Sequence, residues 1–313
     1  MRKLILENYQ SPGDAVMLTA AVRDLHMIYP GQYLTDVRTH CPMLWENNPF
    51  ITPLNDEDTE AEHIIMNYPL IHQSNTLPYH FIHGFIQYLN FQLGTAIYPT
   101  AFKGDIHLSA DEMSWMSQVQ EITGDNRPFW IIVAGGKFDF TCKWWDVNRF
   151  QQVVDHFAGV IQFVQIGEAV HNHPLLKNVI DLRGKTDLRQ LLRLVFHSEG
   201  VLTPVSLPMH LAAAVPLNPG MSRLRPCVVI AGGREPVHWE AYPNHQFIHT
   251  IGALPCCAMG GCWRSRVLPL GDGDEKDSPD QLCLNPVGFL PKCMDIISAQ
   301  EVIQKIELFL VAS

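Results

Sequence analysis

The chain predicts an α/β protein of two domains, on three observations. Short apolar runs that end at glycine or proline alternate with segments of helical apolar spacing, and this rhythm starts twice, at the amino terminus and again near residue 128. The third is size: 313 residues, 47% hydrophobic and 17% charged, are enough to fill more than one core. The boundary falls around Gly124 to Pro128, dividing 1–125 from 126–313.

Lys3-Leu4-Ile5-Leu6 predicts the first strand and Ser11-Pro12-Gly13-Asp14 a tight loop. Ala15 to Tyr29 then reads as a helix that Pro30-Gly31 stops. That loop sits at the carboxyl end of a strand, where open α/β sheets bind ligands. Tyr33 to Arg38 and Ala61 to Asn67 supply two more strands, and Asn75 to Leu93 contains a helix of poorly marked start. The second cycle opens with the strand Trp130 to Ala134, which runs into Gly135-Gly136, and continues with a helix over Asp146 to Phe157. Val160 to Ile166 and Val179 to Leu182 are strands, Leu188 to Phe196 a helix, Gly200 to Thr203 a strand, Met209 to Val215 a helix and Pro226 to Ala231 a strand. Residues 255–294 break the rhythm, being rich in Gly, Pro, Asp and Cys; a terminal helix over 298–311 follows, with Ser298 as N-cap and Glu301 in capping-box register.

With 32 Asp plus Glu against 22 Lys plus Arg, the formal charge is −10, which argues against nucleic acid as the partner. No apolar run reaches the roughly 20 residues a membrane helix needs, and the first residues lack a signal-peptide core, so a cytoplasmic location is expected. Five of the eight cysteines fall between Cys256 and Cys293. That asymmetry suits a local metal site better than a distributed disulfide framework.

Gly13-Asp14-Ala15-Val16 through Leu25, followed by Tyr29-Pro30-Gly31, resembles the amino-terminal signature of the ADP-heptose:lipopolysaccharide heptosyltransferase family. The resemblance returns in the family's order at Lys143-Trp144-Trp145, at Leu182-Arg183-Gly184-Lys185-Thr186-Asp187-Leu188 and at Met209-His210-Leu211-Ala212-Ala213-Ala214, spanning much of residues 1–235. It implies a GT-B fold: two Rossmann-like domains facing a cleft, acceptor on the amino side, nucleotide-sugar donor on the carboxyl side. It also implies inversion at the anomeric carbon.

The family register makes Asp14 the general base for an acceptor hydroxyl, with Gly13 beside it on the acceptor side; the ordinary reading of such an Asp is a helix N-cap. Lys143 becomes a cation that offsets charge growing on a nucleotide diphosphate as the glycosidic bond breaks, without a catalytic metal. Lys137 and Arg183 are the next cations. Gly135-Gly136 fits close approach to a phosphate or equally a tight turn. Ser206, Met209 and His210 form the expected donor cradle, with His210 either bonding a phosphate or orienting its loop. Here the chain departs from the family, since Val205 and Leu207 stand where an acidic residue and a glycine are usual. Glu235 is a ribose ligand through its two oxygens.

The insertion at 255–294 resembles the cysteine-bound iron feature of the autotransporter heptosyltransferases. Cys257, Cys262, Cys283 and Cys293, with Cys256 as the competing first member, are the expected ligands of a structural iron or zinc ion held by four thiolates. The resulting expectation is an inverting glycosyltransferase that moves heptose or a related sugar from an ADP-sugar to a glycan or protein hydroxyl. The alternative is a noncatalytic nucleotide-sugar-binding or metal-stabilised interaction protein.

Overall fold

The computed structural model describes residues 1–71, 73–220 and 224–311, and two parallel sheets organise them. The first is built from β1 (Arg2–Asn8), β2 (Tyr33–Thr39) and β3 (Ala61–Ile65) in the order β2-β1-β3, all parallel. Central β1 is covered on both faces, and for that reason its middle reads as the unbroken apolar run Leu4-Ile5-Leu6 rather than an alternation. Between β1 and β2 lies α1 (Pro12–Ile28), which begins earlier than its apolar spacing suggests because Ser11 is the N-cap and Pro12 the first helical residue. α2 (Phe81–Leu93) lies within the stretch expected to contain a helix, and its start is set where residues 73–75 form a separate 3-10 turn and His80 caps α2 by accepting the Ile82 N–H at 3.2 Å. Two short helices, α3 (Ala110–Ser114) and α4 (Gln118–Thr123), lead into the second half.

The second sheet comprises β4 (Phe129–Ile132), β5 (Gln162–Gln165), β6 (Ile180–Asp181), β7 (Gly200–Pro204), β8 (Cys227–Gly232) and β9 (His245–His249). Its order, β6-β5-β4-β7-β8-β9, is the doubly wound order of dinucleotide-binding sheets, and every pairing is parallel. The helices are α5 (Val147–His156), α6 (Leu188–His197), α7 (Leu207–Ala214) and the single turn α8 (Val237–Glu240). A small hairpin of β10 (Pro286–Val287) and β11 (Leu290–Pro291) and the turn α9 (Lys292–Asp295) end the insertion, before α10 (Ala299–Val311).

β4 shows how the layers divide. Phe129, Ile131 and Val133 join a core shared with Leu4, Leu18 and Phe85 of the first half, whereas Trp130, Ile132 and Ala134 join a second core with Phe150, Val302 and Ile306 beneath α5 and α10. One core therefore runs across both halves. Among the described residues no helix is long and apolar enough to cross a membrane.

Candidate active site

A doubly wound sheet leaves a crevice at the carboxyl ends of its strands where the winding reverses, here between β4 and β7. The loop after β4 carries Lys137 and Lys143, the loop after β7 carries Ser206, and the loop after β8 carries Arg234 and Glu235. The start of α1 closes on this crevice from the other half. Gly13 permits that approach, since a Cβ there would lie 3.1 Å from His210 Cδ2 of α7.

Asp14 stands in the first turn of α1, where its Oδ2 accepts the Ser11 N–H at 2.9 Å. The N-cap is thus Ser11, and Asp14 reaches back to it from the third helical position. A second bond comes from the Tyr68 hydroxyl. Burial pushes the Asp14 carboxyl above its ordinary range, and the Tyr68 and Ser11 bonds with the charges of Lys143 and Lys137 only partly offset this. The result is a carboxylate more basic than one in water.

Lys143 Nζ lies 2.8 Å from Glu235 Oε1, and Arg234 donates to the same oxygen. Glu235 is 3% exposed; burial alone would raise its pKa, but Lys143 and Arg234 outweigh that and hold it below the usual carboxylate range. Its Oε2 is buried with no partner. Arg234 is itself fixed, its Nε donating to Arg264 O at 2.7 Å and its guanidinium lying over the Phe140 and Trp263 rings. Glu240, at the end of α8 and 5% exposed, belongs to the same group: it feels Glu235, Lys143, Arg234 and Asp14. Lys137 lies within electrostatic reach of Asp14 and makes no ion pair among the described residues.

Other residues singled out in the sequence are placed differently. The close approach that Gly135 permits, at φ +106°, is to the chain's own backbone: a Cβ there would lie 1.9 Å from Asn172 O, and Gly136 exchanges backbone bonds with Asn172 at 2.9 and 3.1 Å. Arg183 pairs with Asp181 at 2.8 Å and donates to His173 O. Ser206 turns its hydroxyl inward to Thr203 Oγ1 at 2.8 Å and Pro204 O at 3.1 Å. Met209 lies wholly inside the core. His210, 4% exposed, packs edge-on against Phe81 and Tyr242, with Nδ1 2.6 Å from the Tyr242 hydroxyl, which donates to Met17 Sδ. Burial depresses its pKa to about 3, so it is a neutral ring that packs α7 against α1.

Tyr68 and Glu240 were missed by sequence reasoning. Their only local signals are a tyrosine just past a strand, in Asn67-Tyr68-Pro69, and an acidic residue lodged between aromatics in Trp239-Glu240-Ala241-Tyr242.

Behind Arg234 the insertion closes a small cavity lined by Cys142, Cys256, Cys257, Cys262, Cys283 and Cys293, with Gly233 in its wall. None forms a disulfide. The expected four-thiolate centre is not preformed, for among the described residues no group of three or more His, Cys, Asp or Glu is arranged to hold a metal ion. Cys257 turns its thiol to the Thr250 and Leu254 carbonyls, at 3.5 and 3.4 Å. Cys256, Cys262, Cys283 and Cys293 lie within electrostatic reach of one another, and Cys256 also of Cys257. The Cys142 thiol bonds Cys283 and, with burial opposing, holds that thiol below its usual pKa. The insertion is also stitched to both loops of the charged site: Cys142 N–H donates to Ser265 O at 3.1 Å, and Trp263 N–H to Arg234 O at 2.9 Å.

Parallel sheets that bring a basic carboxylate and cations to one crevice are the frame of a group-transfer enzyme, and this one is a glycosyltransferase. The chain belongs to glycosyltransferase family 9 (heptosyltransferase), whose sequence profile matches residues 56–257. No curated protein matches it. Among solved structures, it is similar to a family 9 glycosyl transferase from Veillonella parvula, at 15% identity over 100% of this chain and 98% of that one, with a TM-score of 0.64. It is also similar to the E. coli ADP-heptose LPS heptosyltransferase II, at 16% identity over 100% and 99%, TM-score 0.59. A third is the dodecameric iron-containing heptosyltransferase TibC of enterotoxigenic E. coli, solved with ADP-D-beta-D-heptose, at 15% identity over 99% of this chain and 76% of that one, TM-score 0.62. At such identities the likeness establishes the α/β fold with parallel sheets.

Proposed function

We propose that this glycosyltransferase moves heptose or a closely related sugar, with inversion, from an ADP-linked donor to a hydroxyl of a glycan or protein. The observation that carries the reading is that Asp14 of one half lies in the field of Lys143 of the other, which pairs with Glu235 at 2.8 Å. The arrangement is a GT-B one, with residues 1–125 on the acceptor side and 126–313 on the donor side. The relatives solved as ADP-heptose enzymes support the donor class.

Asp14 takes the acceptor's proton as its oxygen attacks the anomeric carbon, and the raised basicity suits that task. Gly13, by letting α1 approach His210, holds Asp14 at the cleft on the acceptor side. The bond that breaks leaves negative charge on the diphosphate. Lys143 meets that charge while keeping Glu235, because an ammonium has three donors. Lys137, without an ion pair among the described residues, is the second cation. Glu235 offers its unpartnered Oε2 to a ribose hydroxyl. Backbone near Ser206 completes the donor side; Gly135, Gly136, Arg183, Met209 and His210 act as its scaffold.

We also propose that the thiol cavity holds a structural iron or zinc ion. Iron in TibC and the soft donor set support this, and the turning of the Cys257 thiol to two carbonyls favours Cys256 over Cys257 as the partner of Cys262, Cys283 and Cys293. Four thiolates would saturate the ion, so its effect is to fix the loops bearing Lys143 and Arg234.

The test is a binding panel of ADP-heptose, ADP, UDP-sugars and GDP-sugars on protein with its metal content intact. Selective binding of ADP-heptose is expected, followed by transfer to an acceptor hydroxyl. Tight binding without transfer to any acceptor favours a noncatalytic binder; no binding of any donor overturns the transferase chemistry proposed here.

A further inference from the structure

Glu240 is a buried carboxyl with no hydrogen bond and no ion pair among the described residues, and its Oε2 is sealed from solvent. Folding alone disfavours that, since a buried polar group without a partner forfeits its hydration for nothing. The two nearby cations do not relieve it, for Lys143 and Arg234 both bond Glu235 Oε1. Two carboxyls thus share a low-dielectric space and one of them owns both counter-charges.

We infer that Glu240 contacts the transferred sugar, its carboxyl hydrogen-bonding sugar hydroxyls between Asp14 and Lys143. This rests on the donor reading above. In that reading the proton acceptor and the phosphate cation flank the anomeric carbon from opposite sides; Tyr68, which bonds Asp14, packs on Trp239 next to Glu240 with ring centroids 6.4 Å apart, and the Lys143–Glu235 pair acts on Glu240 from the other side, which puts this carboxyl at the sugar. A sugar hydroxyl both donates and accepts, and a protonated carboxyl matches it on both counts. Glu240 is held in that form: burial first, then Glu235 and Asp14, raise its pKa, against Lys143 and Arg234. The charged and titratable groups around it are Asp14 on α1, Tyr68 after β3, Lys143 after β4, Arg234 and Glu235 after β8, and Tyr242 past α8. His238, on its own helical turn, bonds Ser74 O at 2.6 Å.

The experiment compares wild type, E240A and E240Q for ADP-heptose affinity, ADP affinity, kcat/KM against pH and Tm. E240A should lose about tenfold or more in ADP-heptose affinity and kcat/KM, the scale of one good hydrogen bond, while ADP affinity stays within about twofold. E240Q, which also donates and accepts, should recover most of that loss. The wild type should decline on the alkaline side of neutrality as Glu240 ionises, a limb absent from E240Q. E240Q should stay near the wild-type Tm, because it keeps the shape and exchanges one unpartnered buried polar group for another, and its recovery of affinity separates a sugar contact from any cavity cost in E240A. An E240A protein with wild-type ADP-heptose affinity overturns the proposal, and so does an equal loss for ADP, which would make Glu240 a nucleotide contact. A wild type that binds no nucleotide sugar overturns the donor reading and this inference with it.

Discussion

Arg234 and Arg266 are both buried guanidiniums beside carboxylates, and they differ in what they leave unbonded. Arg266, 1% exposed, holds Asp272 through both terminal nitrogens at 2.8 Å and Asp277 at 2.6 Å, and only its Nε lacks a partner. Asp277 in turn accepts the amides of Leu270 and Gly271. Its acids keep contact with water, so little desolvation is left uncompensated. Around Arg234 the acids are deeper, one Glu235 oxygen serves two cations, and Glu235 Oε2 and Glu240 Oε2 have nothing. The Arg266 cluster closes a loop; the Arg234 cluster keeps unmet demand that a ligand can satisfy.

The contrast is broken most severely at Asp14. D14N keeps an oxygen to accept the Ser11 N–H, so the start of α1 should survive, while turnover falls by about 10²- to 10⁴-fold as base catalysis is lost. Single-turnover release of ADP with a matched circular dichroism spectrum measures it. Normal turnover by folded D14N removes Asp14 from the chemistry. Next comes K143Q, which should lower kcat on the order of 10²-fold through the leaving group. It also leaves Glu235 with Arg234 alone, so ADP affinity should fall as well. A K143Q enzyme that keeps its kcat assigns the phosphates to Lys137.

At Arg266 the same kind of substitution should act on stability alone. R266M strands Asp272 and Asp277 without a cation, while Asp274 keeps Lys276 at 3.1 Å, and the Tm should drop by several degrees with donor affinity unchanged. Acid sharpens this. The Arg266 guanidinium holds Asp272 down to about 2 from an ordinary 3.8, and Asp277 below its usual range. A folded-state pKa below the unfolded one stabilises above the unfolded value and is lost as pH falls through the folded one. Wild type should therefore lose Tm more steeply than R266M between about pH 4 and pH 2. Parallel curves would show that the pair carries no such linkage.

The contrast also separates what was legible in the sequence from what was not. Strands β1, β4 and β8 are buried on both faces and read as apolar runs, so they stood out; edge strand β9, His245-Gln246-Phe247-Ile248-His249, has only two apolar residues and did not. Asp14 and Lys143 were legible through motif and position at strand ends. Glu235's partner Lys143 comes from another loop, and the Asp14–Tyr68 bond joins a helix start to a segment beyond β3, so neither pairing has a local signature. Gly135 was legible as a close approach but not its object, since Asn172 reaches it only after the loop past β5 folds back. Cysteine spacing alone likewise preferred Cys257 to the adjacent Cys256, without sight of the carbonyls to which the Cys257 thiol turns.

That choice carries the smallest expected effect. Cys257 is buried and its thiol lies within donating distance of the Thr250 and Leu254 carbonyls, a role a serine hydroxyl can take over, whereas Cys256 is half-buried and accepts from Asn285 Nδ2 at 3.6 Å. C257S should keep wild-type metal content by elemental analysis and a nearly unchanged Tm. C256S should lose the metal, and with it part of the Tm, because three thiolates hold a soft ion more weakly than four. Loss of metal from C257S with retention in C256S would reverse the ligand set. It would also mean that the turn at 255–257 rearranges on binding, giving up the Thr250 and Leu254 bonds to free the Cys257 thiol.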